Sequence, residues 1–249
     1  MVKLPGTPIF MYHAMARSIA EIPPDPASPF CVLAAQFNSQ LEAATNLGFS
    51  TITLEDFQSG GGGTRSRVAL LTFDDGSASD YEIAFPLLQK LRQRAIFFLN
   101  SSTVGKPGYL TWAQIRDMQQ AGMSFQSHGH EHHDFRALPR QELVRQLETS
   151  KHILEDNLGN AVNFFAAPHG LLSPVVVEQA LELGYLGVCG TRSLPAHRED
   201  KIYRRVAIYQ HTQLAEFRGL LTCHPMAYGK RVAAYAAFRA RRLLRVAAH

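Results

Sequence analysis

Short apolar, β-prone runs alternate along this chain with longer segments whose apolar positions recur at helical spacing. Residues 9–12 read as a first strand. Residues 34–47 read as a helix, with Phe37, Leu41, Ala44 and Leu47 on one face and Gly48 closing it. The alternation continues with a strand at 51–54, a buried-type strand at 68–73, and a helix at 79–92 that Pro86 should break or kink. A strand at 95–99 follows, then a helix at 112–120 capped by Thr111, a strand at 123–127, and a long helix at 140–158 stopped by Gly159. Strands at 162–166, 185–188 and 206–209, with helices at 174–183 and 213–221, complete the series. The glycine run at 60–63 reads as a surface loop, since it lacks the Lys-Ser or Lys-Thr of a phosphate-binding loop. Such β-then-α alternation predicts a parallel sheet with crossover helices. Polar clusters follow several strand ends, which favours a closed or nearly closed barrel, whose loops converge on one face; periodicity alone does not separate barrel from open sheet.

Composition narrows the field. The chain has 249 residues, 46% hydrophobic and 18% charged, which supplies a sizeable core and excludes a disordered or fibrous protein. Its apolar runs fall far short of the ~20 residues of a membrane span. The start, Met1-Val2-Lys3-Leu4-Pro5, lacks the apolar stretch of a signal peptide, so the expected location is cytoplasmic. Cys31, Cys189 and Cys223 have neither the number nor the spacing of a disulfide framework or a thiolate zinc site. The net charge of +4 is concentrated near the end, where Lys230, Arg231, Arg239, Arg241, Arg242 and Arg245 have no acidic neighbours. That points to a domain at 1–225 and a basic helical tail at 226–249, either solvated or touching an anionic membrane face. Nothing resembles a nucleic-acid recognition motif.

Four clusters carry candidate chemistry. In Thr72-Phe73-Asp74-Asp75-Gly76, two adjacent acids end an apolar strand. Carboxylates that close need a cation or a shared proton, unless they merely form a turn and a helix cap. In Ser127-His128-Gly129-His130-Glu131-His132-His133-Asp134, His128 and His132 have the i, i+4 spacing that brings two imidazoles to one metal if the segment turns helically. With one Asp they make a His-His-Asp set that leaves a position open for water. His130 and His133 have the wrong spacing. Ala167-Pro168-His169-Gly170 is by itself only a rigid turn, or one whose backbone N–H groups face the same pocket and serve an oxyanion. His13 ends the first strand, on the same rim in a barrel, or is simply a structural histidine.

Together these motifs resemble the polysaccharide deacetylase family, also called the NodB-homology or carbohydrate esterase family 4 domain. TFDDG at 72–76 and H-x-x-x-H at 128–132 are similar to its first two motifs, and APHG at 167–170 to its third; weaker similarity runs from 8 to about 221. The resemblance implies a distorted (β/α)7 barrel and hydrolysis of N-acetyl groups on an amino sugar. It implies Asp74 as general base, Asp75, His128 and His132 as ligands of a divalent metal (Zn2+ first, then Co2+ or Ni2+), and the His169 N–H as oxyanion donor. The alternatives are a same-family amidase or imidase and a non-catalytic glycan-binding member. The chain departs from the family in three places. The third-motif arginine that orients the base is Ala166, the Asp-Trp fourth motif is not recognisable, and the late Leu-x-His is missing. A branch resembling the poly-N-acetylglucosamine deacetylases carries its acid histidine near the N-terminus. FMYH at 10–13 matches that arrangement, making His13 the candidate acid and His211 the reserve.

Overall fold

Seven parallel strands close on themselves in a computed structural model that describes residues 3–22, 24, 28–61 and 67–234. In chain order the elements begin with β1 (Ile9–Tyr12), β2 (Met15–Ala16), β3 (Val32–Leu33), α1 (Ala34–Asn46), β4 (Phe49–Thr51), α2 (Leu54–Gln58) and β5 (Arg67–Asp75). They continue with α3 (Phe85–Lys90), β6 (Ile96–Leu99), α4 (Trp112–Gln120), β7 (Ser124–Ser127) and α5 (Arg140–Leu158). The last are β8 (Phe164–Ala166), α6 (Pro174–Glu182), β9 (Gly187–Thr191), β10 (Ile202–Ala207) and α7 (Leu214–Leu221). The ring runs β1-β10-β9-β8-β7-β6-β5 and back to β1.

The distortion has its origin in β5. This long strand pairs twice on one edge: Arg67, Val68 and Ala69 lie beside β4, and Leu70 to Phe73 lie beside β1. Strand β4 therefore stands outside the ring. Side chains alternate along each strand. One set, including Ile9, Leu70, Ile96, Phe98, Phe164, Cys189 and Tyr203, forms an apolar cluster inside the ring. The other, including Phe10, Tyr12, Leu71, Phe73, Phe97 and Phe165, packs outward against the helices. A sealed interior of this kind leaves the C-terminal strand ends as the place where polar groups can gather.

Several boundaries differ from the sequence expectation for local reasons. The helix foreseen at 79–92 is a π-helical turn, Asp80–Ala84, running into α3; Pro86 sits in the first turn of α3, where a missing N–H does no harm. The strand expected at 51–54 keeps only Thr51. Thr53 and Asp56 make a capping box that starts α2 at Leu54, and the strand lies earlier, at β4. Thr111 caps α4 as expected, in a capping box with Gln114, and Gly159 ends α5 at φ 68°. The short β2–β3 ladder had no readable pattern. Strand β10 begins at Ile202 rather than 206, which proves decisive below. Residues 225–234 are helical; the rest of the expected basic tail, 235–249, and part of the glycine run, 62–63, lie outside the described residues. Among the described residues no helix is long and apolar enough to cross a membrane.

Candidate active site

Strand β5 ends in Asp74 and Asp75. Regular alternation would send these neighbours to opposite faces of the sheet. Asp75 breaks the alternation with φ 76°, a left-handed conformation that Asp adopts more readily than most side chains. Its Oδ1 then stands 3.4 Å from Nε2 of both His128 and His132. Gly76 follows at φ 71°, and a Cβ there would meet the Leu99 side chain at 2.7 Å, so the turn that aims Asp75 requires glycine.

Asp74 continues the inward-facing set of β5 and is buried. Its charge is met by Arg205 of β10, which is fully buried. Arg205 Nη1 donates to Oδ1 at 2.6 Å and Nη2 to Oδ2 at 2.8 Å, a bidentate pair. Nη1 also donates to Thr72 Oγ1 at 3.2 Å, and the guanidinium lies 5.2 Å from the centre of the Phe98 ring. Burial pushes the Asp74 pKa up, but Arg205 and then His128 outweigh it and hold Asp74 below the usual carboxylate range. Asp74 is therefore ionised at neutral pH. From β10, this arginine makes the kind of contact with Asp74 that the resemblance implies for a third-motif arginine, where this chain has Ala166. Sequence reasoning missed it by starting the strand after the Arg204-Arg205 doublet. The usable signal was there: an arginine between Tyr203 and Val206, inside an apolar strand, needs a buried carboxylate.

His128 leaves β7 with its ring buried. Nδ1 donates to Ala166 O at 2.8 Å, which fixes the tautomer and turns the Nε2 lone pair toward Asp75. Asn100 Nδ2 donates to the His128 carbonyl at 2.7 Å. Burial works against charge on His128, yet Asp74 and Asp75 prevail and raise its pKa. His132, partly exposed, is pushed down to about 4 by burial and then by His128. The two rings lie 5.3 Å apart. They meet through an irregular loop rather than the helical turn expected from i, i+4 spacing. Gly129 bends that loop at φ 86°, with Phe135 packed where a Cβ would go, at 2.5 Å.

One donor atom from each of Asp75, His128 and His132 lies within 4.8 Å of the others. Two imidazole nitrogens and one carboxylate oxygen suit zinc and similar borderline divalent ions. Among the described residues Asp75 Oδ1 is buried without a partner at hydrogen-bond distance, an arrangement that suits a bound cation. His130 and His133 are not part of it. His130 Nδ1 pairs with Ser101 Oγ at 2.9 Å, and His133 Nε2 with Glu131 Oε2 at 3.0 Å.

His13 comes off β1 beside this group. Burial lowers its pKa, against the pull of Asp74 and Asp75, and its ring packs on Phe30 at 4.8 Å. His211 is separated from His13 by Phe30 and Tyr209; its exposed ring stacks on Tyr209 at 5.3 Å. His169 sits at φ 60° with its ring edge-on to His132 at 4.5 Å. The turn is locked by Gly170, where a Cβ would fall 1.9 Å from Thr191 Oγ1. A further acid, Asp80, was not foreseen. It is fully buried, its carboxyl oxygens have no side-chain partner among the described residues, and burial, then Asp75 and Asp74, push its pKa well above the usual range.

Comparison with known proteins gives a consistent picture. Residues 61–188, just over half of the chain, match the sequence model of the polysaccharide deacetylase family. The Bacillus subtilis protein YxkH, whose name places it with the polysaccharide deacetylases, is 24% identical over 199 residues, 79% of this chain and 68% of that protein. The poly-beta-1,6-N-acetyl-D-glucosamine N-deacetylase of Staphylococcus aureus is 24% identical over 176 residues, 63% of this chain and 61% of that protein. Among solved structures, the Streptococcus pyogenes deacetylase PplD in complex with acetate superposes with a TM-score of 0.78 at 25% identity, covering 89% of this chain and 100% of that one.

Proposed function

This chain belongs to the polysaccharide deacetylase family, and from that premise we propose that it hydrolyses N-acetyl groups on an amino sugar of a glycan or glycan precursor. The observation that carries the reading is the convergence of Asp75, His128 and His132 beside an ionised, arginine-clamped Asp74. Asp75, His128 and His132 hold the divalent ion, zinc in the first instance with cobalt or nickel as substitutes. When bound, the ion supplies Lewis-acid polarisation and lowers the pKa of water. Asp74 takes the proton of the attacking water; its low pKa keeps it free to accept across neutral pH. Arg205 holds both Asp74 oxygens, so the base keeps one orientation. The backbone N–H of His169 donates to the oxygen that becomes negative, a contact worth ~10²–10³ in kcat in comparable sites. His13 returns a proton to the leaving nitrogen. Acetate and a free amino sugar are the products.

The test is acetate release from a panel of N-acetylated saccharides by the metal-loaded chain. Turnover that disappears on chelation and returns with zinc, cobalt or nickel is the expected result. Turnover that persists in full after chelation refutes the assignment of the triad.

A further inference from the structure

The helix of residues 225–234 climbs the outside of the barrel toward the catalytic rim. Helix α7 descends from that rim, and at its foot Leu4 N, just before β1, donates to Cys223 O at 2.9 Å. The chain then turns back: His224 N donates to Gly219 O at 2.8 Å, and a Cβ on Gly219 would meet Ala227 at 3.0 Å. Further up, Arg231 Nε donates to Glu216 Oε1 at 2.6 Å and its Nη2 to Thr212 Oγ1 at 3.0 Å. The helix therefore runs antiparallel to α7. Its Arg231 guanidinium lies 5.2 Å from the centre of the Tyr209 ring, on the loop that follows β10. Tyr209 packs on Phe30 at 5.0 Å, and Phe30 on His13 at 4.8 Å. At Arg231 the helix has reached the mouth of the barrel.

Beyond that point the helix leaves the body. Tyr228 is buried and anchors it, whereas Lys230, Ala233 and Ala234 are exposed and Val232 is 46% exposed. The sequence goes on in the same sense. No acidic residue follows Glu216, and Arg239, Arg241, Arg242 and Arg245 alternate with Phe238, Leu243, Leu244 and Val246. At the helical spacing of about 100° per residue, Lys230, Arg231, Arg241, Arg242 and Arg245 fall within one arc of about 120°. Val232, Tyr235, Leu243, Leu244 and Val246 fall outside that arc; Arg239 and Phe238 are the exceptions. A soluble polyanion would need the cations alone. Cations on one side with aliphatic residues on the other suit a surface that is anionic at its headgroups and apolar just beneath them.

We propose that residues 230–249 dock on an anionic lipid bilayer, lying in its interface rather than crossing it, and so hold the mouth of the barrel beside the membrane. Glycan carried at that surface then meets the catalytic group directly. This last consequence rests on the deacetylase reading. The docking does not, and vesicle binding is measured without turnover, so the two fail separately.

The test is flotation of the full chain with vesicles of phosphatidylcholine alone or of an equal mixture of phosphatidylcholine and phosphatidylglycerol. The expected result is binding to the mixed vesicles that weakens as salt is added, and none to phosphatidylcholine alone. The combined variant Arg239→Gln, Arg241→Gln, Arg242→Gln and Arg245→Gln should weaken that binding by about a hundredfold or more. Leu243→Gln with Leu244→Gln should weaken it by about tenfold. Circular dichroism and melting temperature check that each variant folds. No binding by the wild type, or binding that the arginine variant keeps within about twofold, overturns the proposal. Binding that the leucine variant leaves unchanged and that polyglutamate or a single-stranded oligonucleotide competes away assigns the segment to a soluble polyanion, and overturns it too. Orientation is read with an environment-sensitive dye on Val232→Cys, at the rim, or on Lys90→Cys, at the foot of α3; the natural cysteines are buried. Mixed vesicles should shift the emission of the first dye and not of the second. Equal shifts overturn the placement of the rim at the membrane.

Discussion

Arg205→Met is the most informative perturbation of this structure. It removes both N–H···O bonds to Asp74 and leaves a carboxylate only 2% exposed without its cation. Breaking a buried pair by removing one partner costs about 3–5 kcal/mol. At about 2–4 °C per kcal/mol for a chain of this size, the melting temperature should fall by roughly 6–20 °C. The pH dependence separates the ion pair from lost packing against Phe98. In the wild type the folded pKa of Asp74 is depressed, so the pair stabilises the fold above the unfolded value of about 3.9 and loses that contribution as pH falls through the lower folded value. In the variant, burial raises the folded pKa, and stability is lost as pH rises. The gap between the two proteins must therefore be small near pH 3 and widen toward pH 7.5, while the packing loss stays constant. Thermal melts of chelated protein at both pH values measure it. Adding Asp74→Asn to the variant should recover a large part of the loss at pH 7.5 and no activity. A gap of the same size at both pH values, or a loss under about 1 kcal/mol at pH 7.5, refutes the argument.

Other expectations concern the remaining carboxylates and the triad. Asp75→Ala and His128→Ala should each abolish bound zinc, read by metal analysis after desalting, together with turnover; a variant that keeps both would remove that residue from the donor set. Asp74→Asn should retain zinc yet lower kcat by ~10²–10⁴, the usual contribution of a general base, and unchanged turnover would assign the proton transfer elsewhere. Asp80 has a raised folded pKa, so its stabilising contribution is present at low pH and lost as pH rises above its unfolded value. Asp80→Asn should therefore raise the melting temperature more at pH 8 than at pH 4; an equal effect at both would show that the carboxyl is not held neutral.

The fold was legible wherever a pattern reported burial directly. The helical face of Phe37, Leu41 and Ala44, the Thr111 cap and the run ending in Asp74-Asp75 each named an element that the structure contains. Asp75, His128 and His132 converge as the motifs implied, though through two left-handed turns, at Asp75 and Gly129, that spacing alone does not encode. Arg205 was easy to miss for a physical reason. Its charge interrupts an apolar run, and only a partner distant in sequence, on β5, makes it a strand residue. Asp80 was hidden likewise, because an acid near a helix start reads on paper as a surface residue, whatever buries it.

Ring closure through the β1–β5 pairing has an evolutionary consequence. In an open sheet, distant strands cannot exchange duties, because their upper side chains never meet. In a cylinder this narrow, every inward position of the top layer faces the same few ångströms of space. A guanidinium can therefore migrate from one staff of the barrel to another while keeping its appointment with the same acid. Consensus motifs record where along the chain a group is spelled, whereas catalysis depends on the layer it reaches. Chains that look defective at a motif deserve a search of the opposite wall before they are counted as dead.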